Sequence, residues 1–239
     1  MNWSNYLIEE KYPSAYPHLG VIEGTIDCPF DISELPKNAE IISMSTPLKK
    51  FKLKYTNYDS LIGNEKIEAI SINDINEERL NTFSTLPNLQ YLGISNCKQE
   101  MLPNLSSLKS LKVLLLSGIK KSKDISFISD LKKIETLYIY GFNNLYDLSP
   151  LEKMKSLKEL WLDHGKMSGT GKAVRNMDSL SKLKELEYLN FILNVENKNY
   201  DISPLLELNN LKHLRILPRF LKNGQNKIIE KKLPSVNII

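Results

Sequence analysis

The groups that could do chemistry are few. The chain has three histidines, His18, His164 and His213, and two cysteines, Cys28 and Cys97. One stretch, "LKELWLDHGK" (157–166), sets Glu159, Trp161, Asp163 and His164 between and just after leucines. A nucleophile triad needs Ser or Cys, a base and an orienter in mutual reach. Asp163 and His164 are adjacent, so on a strand they project to opposite sides. Metal sites take three or four convergent ligands, and neither an HExxH nor a CxxC pattern occurs. "GTGKA" (169–173) matches part of a phosphate loop, but the full GxxxxGK[ST] pattern is absent. No catalytic residue, metal or cofactor is therefore expected. The residues around Trp161 read instead as one rung of a binding surface.

Composition bounds the partner. Of the 239 residues, 41% are hydrophobic and 25% charged, as in a soluble globular domain. The net charge of +4 comes from 32 basic against 28 acidic residues. Only Arg79, Arg175, Arg215 and Arg219 are arginines, and the lysines are scattered or in short runs such as "PLKKFKLK" (47–54). Nucleic-acid readers cluster their basic residues on one face, so a solvated lysine surface is the preferred reading. The first twenty residues lack the pattern of a signal peptide. No apolar run reaches the roughly 18–20 residues that span a bilayer. A cytoplasmic monomer without membrane contact is expected.

The elements that position "LKELWLDHGK" recur along the chain. Leu86, Leu89, Leu92 and Ile94 are followed at the same spacing by Leu108, Leu111, Leu114 and Leu116. Later copies begin at Leu131, Met154, Leu183 and Leu208, and an earlier one reaches Ile67, Ile70 and Ile72. Apolar residues two apart mark a strand that buries one face. One such unit cannot bury its apolar side alone, so stacked units must share a core. "DISFISDL" (124–131), "DLSPLEKM" (147–154) and "DISPLLEL" (201–208) begin the segment between strands. Ser149 and Ser203, each before a proline, read as N-caps, and Ser149 with Glu152 as a capping box.

This chain resembles the leucine-rich repeat family at its short-repeat, microbial end. The resemblance covers residues 61–219. The family's final Asn/Cys position is met by Cys97 and Asn194; elsewhere it is Ile75, Ile119, Phe142, Gly165 or Arg219. Apolar residues there are expected to pack inward. The resemblance implies an α/β solenoid curved into a horseshoe. Its parallel β-sheet would line the concave face, short helices or 3₁₀ turns the convex one. It also implies that the concave face is the partner site. Residues 1–60 are expected to form an irregular N-terminal cap, with a helix near 3–11 and a degenerate repeat at 35–45. Residues 220–239 are expected to form a C-terminal cap, and 166–181 a mobile loop or extra helix on one rim.

The alternation of the strands sends three columns outward. The first runs Ala69, Tyr91, Val113, Thr136, Glu159, Tyr188, His213; the second Ser71, Gly93, Leu115, Tyr138, Trp161, Asn190, Arg215; the third Asn73, Ser95, Ser117, Tyr140, Asp163, Ile192, Leu217. Strands lie about 4.8 Å apart, so Tyr138, Tyr140, Trp161 and Tyr188 should cluster. Leu115 extends the apolar patch, Glu159 and Asp163 supply acid, and Arg215 with Arg219 supplies base. Aromatic anchors ringed by charge are what protein-binding hot spots contain. A protein-binding module is expected, with a basic partner residue facing Glu159 and Asp163. An inhibitor or immunity protein for a toxin is one form of it, a regulatory subunit or scaffold of an intracellular enzyme another. A weak nucleic-acid binder using surface lysines is a third reading. The competing structural expectation is that the cap or the 166–181 loop folds over this face.

Overall fold

In the computed structural model, which describes residues 1–11, 22–45, 52–122, 124–165 and 171–239, each repeat contributes one strand to a parallel sheet. The strands are β1 (Ile26–Asp27), β2 (Ile41–Met44), β3 (Ala69–Ile72), β4 (Tyr91–Ser95), β5 (Val113–Ser117), β6 (Thr136–Tyr140), β7 (Glu159–Asp163), β8 (Ala173–Val174), β9 (Tyr188–Ile192), β10 (Asn194–Val195), β11 (His213–Ile216) and β12 (Asn237–Ile238). Ten of them form one sheet in the order β1-β2-β3-β4-β5-β6-β7-β9-β11-β12. Pairing is without stagger: Leu92 faces Leu114, Leu137 faces Leu160, and Leu189 faces Leu214. The sheet reaches beyond the clear repeats. β2 lies within residues 35–45 and pairs with β3, while β12 extends the other end.

The inward residues build a continuous core. Leu92, Leu114, Leu137, Leu160, Leu189 and Leu214 are all fully buried. The apolar residues at the family's Asn/Cys position, Ile75, Ile119 and Phe142, join Cys97 in it. Short 3₁₀ turns at 105–107, 126–128, 149–153, 178–182 and 205–207 return the chain on the other side. One repeat carries a true helix, α1 (Glu77–Ser84), capped by Asn76, whose Oδ1 accepts the Arg79 N–H at 2.9 Å. A second helix, α2 (Gln225–Lys232), lies near the C-terminal end. The turns after β5 and β6 use Gly118 and Gly141 at φ of 64° and 65°, which glycine adopts without strain.

Three expectations about local structure need correction. The turns are capped by aspartate, not by the serine of each Asp-x-Ser. Asp147 Oδ1 accepts the Ser149 N–H at 2.9 Å, and Asp201 accepts both the N–H and the hydroxyl of Ser203. Asp124 does the same with Ser126, and these bonds hold the Asp124 and Asp201 carboxyls below the usual range. An Asp side chain two residues upstream reaches that N–H more readily than a serine in the turn itself. Glu152 does not close a capping box; it accepts the Ser179 hydroxyl of the next repeat. Of the segment 166–181, expected as a mobile loop or extra helix, residues 166–170 lie outside the described residues, and the rest contributes the short strand β8 and the start of a 3₁₀ turn. β8 pairs with β10 in a separate two-stranded sheet.

The third correction concerns residues 3–11, which form consecutive turns instead of a helix. Asn5 and Glu10 take positive φ of 55° and 45°, which interrupts helical bonding. His18, Tyr12, Tyr16 and Phe51, part of "PLKKFKLK", Lys123, and Gly169 and Thr170 of "GTGKA" lie outside the described residues.

The packing sets a scale. Leu160→Ala removes a fully buried side chain, and such truncations destabilise by about 2–5 kcal/mol. Asp147→Ala removes a turn cap, an effect of about 1 kcal/mol. Urea unfolding of both variants should reproduce that order. An Asp147 effect equal to or above that of Leu160 would contradict it.

Candidate binding face and the segment that covers it

The columns read from the sequence exist. Tyr138 stands beside Trp161, Tyr140 beside Asp163, and Glu159 between Thr136 and Tyr188. The aromatic rings touch in series: Tyr138 to Tyr140 at 6.3 Å between centroids, Tyr138 to Trp161 at 5.3 Å, Trp161 to Tyr188 at 6.5 Å, and Tyr188 to His213 at 6.1 Å. The Arg215 guanidinium lies over Trp161, 5.9 Å from the ring centre. Each side chain points as strand alternation requires.

Much of this surface does not face solvent. Tyr138 and Glu159 are fully buried, and Leu115 and Trp161 are 3% and 5% exposed. The chain's own N-terminal residues cover them. Trp3, Tyr6 and Leu7, together with Ile22, pack on Ile41, Ala69, Tyr91, Val113, Leu115, Tyr138 and Trp161 as a second hydrophobic core on the concave side. Trp3 and Tyr6 meet Tyr91 at 5.0 and 5.7 Å between ring centroids. Trp3 Nε1 donates to Glu68 Oε2 at 3.2 Å. The aromatic face is thus half of an internal contact, and the reading of Tyr138, Trp161, Leu115 and Glu159 as solvent-facing is corrected. Burying aromatic area is favourable, and a tethered segment covers it at low entropic cost.

Glu159 organises this contact. Its carboxylate accepts the Leu7 N–H at 3.0 and 3.1 Å and the Ile8 N–H at 2.8 Å, and it also accepts the Thr136 hydroxyl. Two successive amides pointing at one anion form a small nest. This explains why residues 3–11 are not a helix: the Leu7 and Ile8 amides serve Glu159 instead of a carbonyl one turn back. Burial pushes the Glu159 carboxyl up from its ordinary value. The Thr136 hydroxyl and the two amides oppose that shift. The expected basic partner for Glu159 is therefore replaced by backbone donors from within the chain.

The remaining site residues stay nearer solvent. Tyr140, Asp163 and Tyr188 are half-buried, and Arg215 is exposed. Asp163 Oδ1 accepts the Gly165 N–H at 2.7 Å. Burial pushes its carboxyl up, against the pull of that N–H and of the Arg215 charge. Arg219 does not join the face. Its Nη1 donates to Asn194 Oδ1 at 2.9 Å, fixing the rim where β8 meets β10. His164 is buried there as well, accepting the Asn194 N–H on Nε2 at 3.1 Å. Asp163 and His164 are each engaged by a backbone amide, on different sides of the strand. Burial pushes the Cys28 thiol to about 11 and raises that of Cys97, opposite to an activated nucleophile. Among the described residues no group of three His, Cys, Asp or Glu converges on one point. No helix among them is long and apolar enough to cross a membrane.

A model of the leucine-rich repeat region matches residues 66–237. The chain belongs to the leucine-rich repeat family. Members of this family are commonly protein-interaction modules. Among solved structures, this leucine-rich repeat chain is similar to an internalin of Listeria monocytogenes at 17% identity, with a TM-score of 0.53, covering 87% of this chain and 62% of that one. It is also similar to a leucine-rich repeat protein of Leptospira interrogans (15% identity, TM-score 0.49, 87% of this chain and 44% of that one). The chain thus spans less than two thirds of either protein. No curated protein matched. The likeness to the internalin shows a shared fold.

Sequence reasoning did not single out Trp3, Tyr6 and Leu7 as the cover, nor Thr136 as a partner of Glu159. The signal available was the spacing of Trp3, Tyr6 and Leu7, three and four apart, which places apolar groups on one side of a turning segment.

Glu159→Ala leaves two amides and a hydroxyl without an acceptor. At about 1–3 kcal/mol for an unpaired buried group, a loss of about 2–4 kcal/mol is expected at neutral pH. Glu159→Gln keeps an acceptor and should lose less. The raised Glu159 pKa means the folded chain holds this proton more tightly than the unfolded one. Its stabilising effect is present below the ordinary value of 4.5 and is lost as pH rises through the folded value. The stability of wild type relative to Glu159→Gln should therefore fall as pH rises from 4.5. A rise over that range in urea unfolding would contradict the account.

Proposed function

We propose that the protein is a non-enzymatic binding module that holds one protein partner on the C-terminal half of its concave face. The observation that carries this reading is the half-exposed row beside the buried aromatic centre. Tyr140, Asp163, Ile192 and Leu217 line one column, Arg215 stands in the next, and Tyr188 and His213 in the one beyond it, none of them fully buried. Tyr188 and Tyr140 offer rigid amphipathic anchors already packed against their neighbours, so little side-chain freedom remains to be lost on binding. Asp163 and Arg215 place opposite charges beside them and would set specificity. Such a mixture of aromatic anchors and flanking charge suits protein recognition.

The lysines give little support to nucleic-acid binding. Lys153, Lys158, Lys184 and Lys212 each pair with a carboxylate of a neighbouring repeat. A protein that binds without chemistry of its own can act by occlusion. The specific role proposed is inhibition of a toxin or other enzyme, as an immunity protein of a bacterial cytoplasm would do.

Affinity capture from lysate, with wild type beside a folded Tyr188→Ala/Arg215→Glu variant, tests the face. Hot-spot truncations remove about 2 kcal/mol or more, so retention should fall at least tenfold. A partner held equally by both would move the site elsewhere. Co-expression with the captured partner tests the role: growth rescued by wild type and not by the variant is expected. No change in toxicity or activity of that partner would remove the inhibitory reading.

A further inference from the structure

The cover over the aromatic centre is held as a ligand is held. Its polar contacts to Glu159 are made by main-chain N–H groups of Leu7 and Ile8. Any segment that turns in the same way offers the same donors. What is selective is the apolar fit of Tyr6 and Leu7 against the sheet. Glu159 shares its outward column with Ala69, Tyr91, Val113 and Thr136 and is the one carboxylate among them.

The cover also leaves part of the groove unsatisfied. Trp161 and Asn190 stand side by side in register on β7 and β9. Asn190 is fully buried and Trp161 nearly so. Among the described residues, Trp161 Nε1 and both amide atoms of Asn190 have no hydrogen-bond partner. Buried polar groups in folded proteins are almost always paired. Here one donor, from the indole, adjoins a donor and an acceptor, from the carboxamide. A single amide group, from a peptide unit or an Asn or Gln side chain, can accept from the indole or the Asn190 amide and donate to its oxygen.

We propose that the concave groove is an exchangeable peptide site. Residues 1–11 are its resident occupant, and a partner's segment replaces them. That segment carries apolar side chains in place of Tyr6 and Leu7, turns two successive N–H groups onto Glu159, and adds an amide against Trp161 and Asn190. The proposal rests on the protein-binding reading above and extends it from the half-exposed row into the covered centre. The resident segment then sets a threshold: only a partner that satisfies the amide pair displaces it.

The test uses the full chain and a labelled peptide of its own first eleven residues, MNWSNYLIEEK. Leu7→Ser weakens the resident segment, so this variant should bind the peptide at least tenfold tighter than wild type does. Adding Glu159→Ala should abolish that binding. In a second series, Asn or Gln is placed at each peptide position except those of Trp3, Tyr6 and Leu7. At least one such peptide should bind about tenfold tighter. That gain should disappear in Asn190→Leu and Trp161→Phe chains that remain folded by circular dichroism. Failure of the peptide to bind folded Leu7→Ser chain would overturn the proposal, because the groove would then be closed core. A gain unaffected by both substitutions, or no gain at any position, would overturn the role given to the amide pair. A captured partner that still depends on Tyr188 and Arg215 when the peptides fail would leave the protein-binding reading standing and remove only this one.

Discussion

Parallel pairing without stagger is the constraint on which the rest of this structure depends. Because Leu137 faces Leu160 and Leu160 faces Leu189, every inward residue stacks on its counterpart in the next repeat. The same register acts on the other side of the sheet. It forces Tyr138, Trp161 and Asn190 into one row and Thr136, Glu159 and Tyr188 into another. A sheet built this way has two faces with strong demands. One is met by the 3₁₀ turns and helix α1, the other by the N-terminal segment. The aromatic residues that look like a binding surface are therefore under pressure to be covered by something, and the nearest available cover belongs to the same chain.

Glu159 turns that apolar demand into a specific contact. Hydrophobic burial alone has no direction, and Trp3, Tyr6 and Leu7 could slide along the face. Two amides converging on one buried carboxylate fix the position of the segment to within a hydrogen bond. The Thr136 hydroxyl, one strand away, holds the carboxylate in turn. At the C-terminal half, Asp163 plays a different part. It is tied to the Gly165 amide beside Arg215, so opposite charges remain where a partner can reach them.

The repeat register was legible because strand alternation and a recurring spacing each specify the same residues. The first two outward columns match the observed pairing throughout, and the third matches it from Ser95 to Ile192. Where one position had two competing uses, legibility ended. Residues 3–11 carry a helical spacing of apolar groups, but the Leu7 and Ile8 amides are claimed by a glutamate more than 150 residues away. No local pattern encodes that. In the same way, Asp147 and Ser149 both suit a cap, and the choice depends on which oxygen reaches the N–H. Outward direction on a strand also says nothing about exposure. Trp161 points outward and is still buried, because exposure is decided by what folds over the sheet.

The most direct test of this account is amide hydrogen exchange at Leu7 and Ile8, compared between wild type and Glu159→Ala. Both amides should be protected in wild type, and that protection should be lost in the variant while the β7 amides of Leu160 and Leu162 keep theirs. Exchange of the Leu7 and Ile8 amides at the rate of an exposed chain in wild type would contradict the account. The concave aromatic face would then be open.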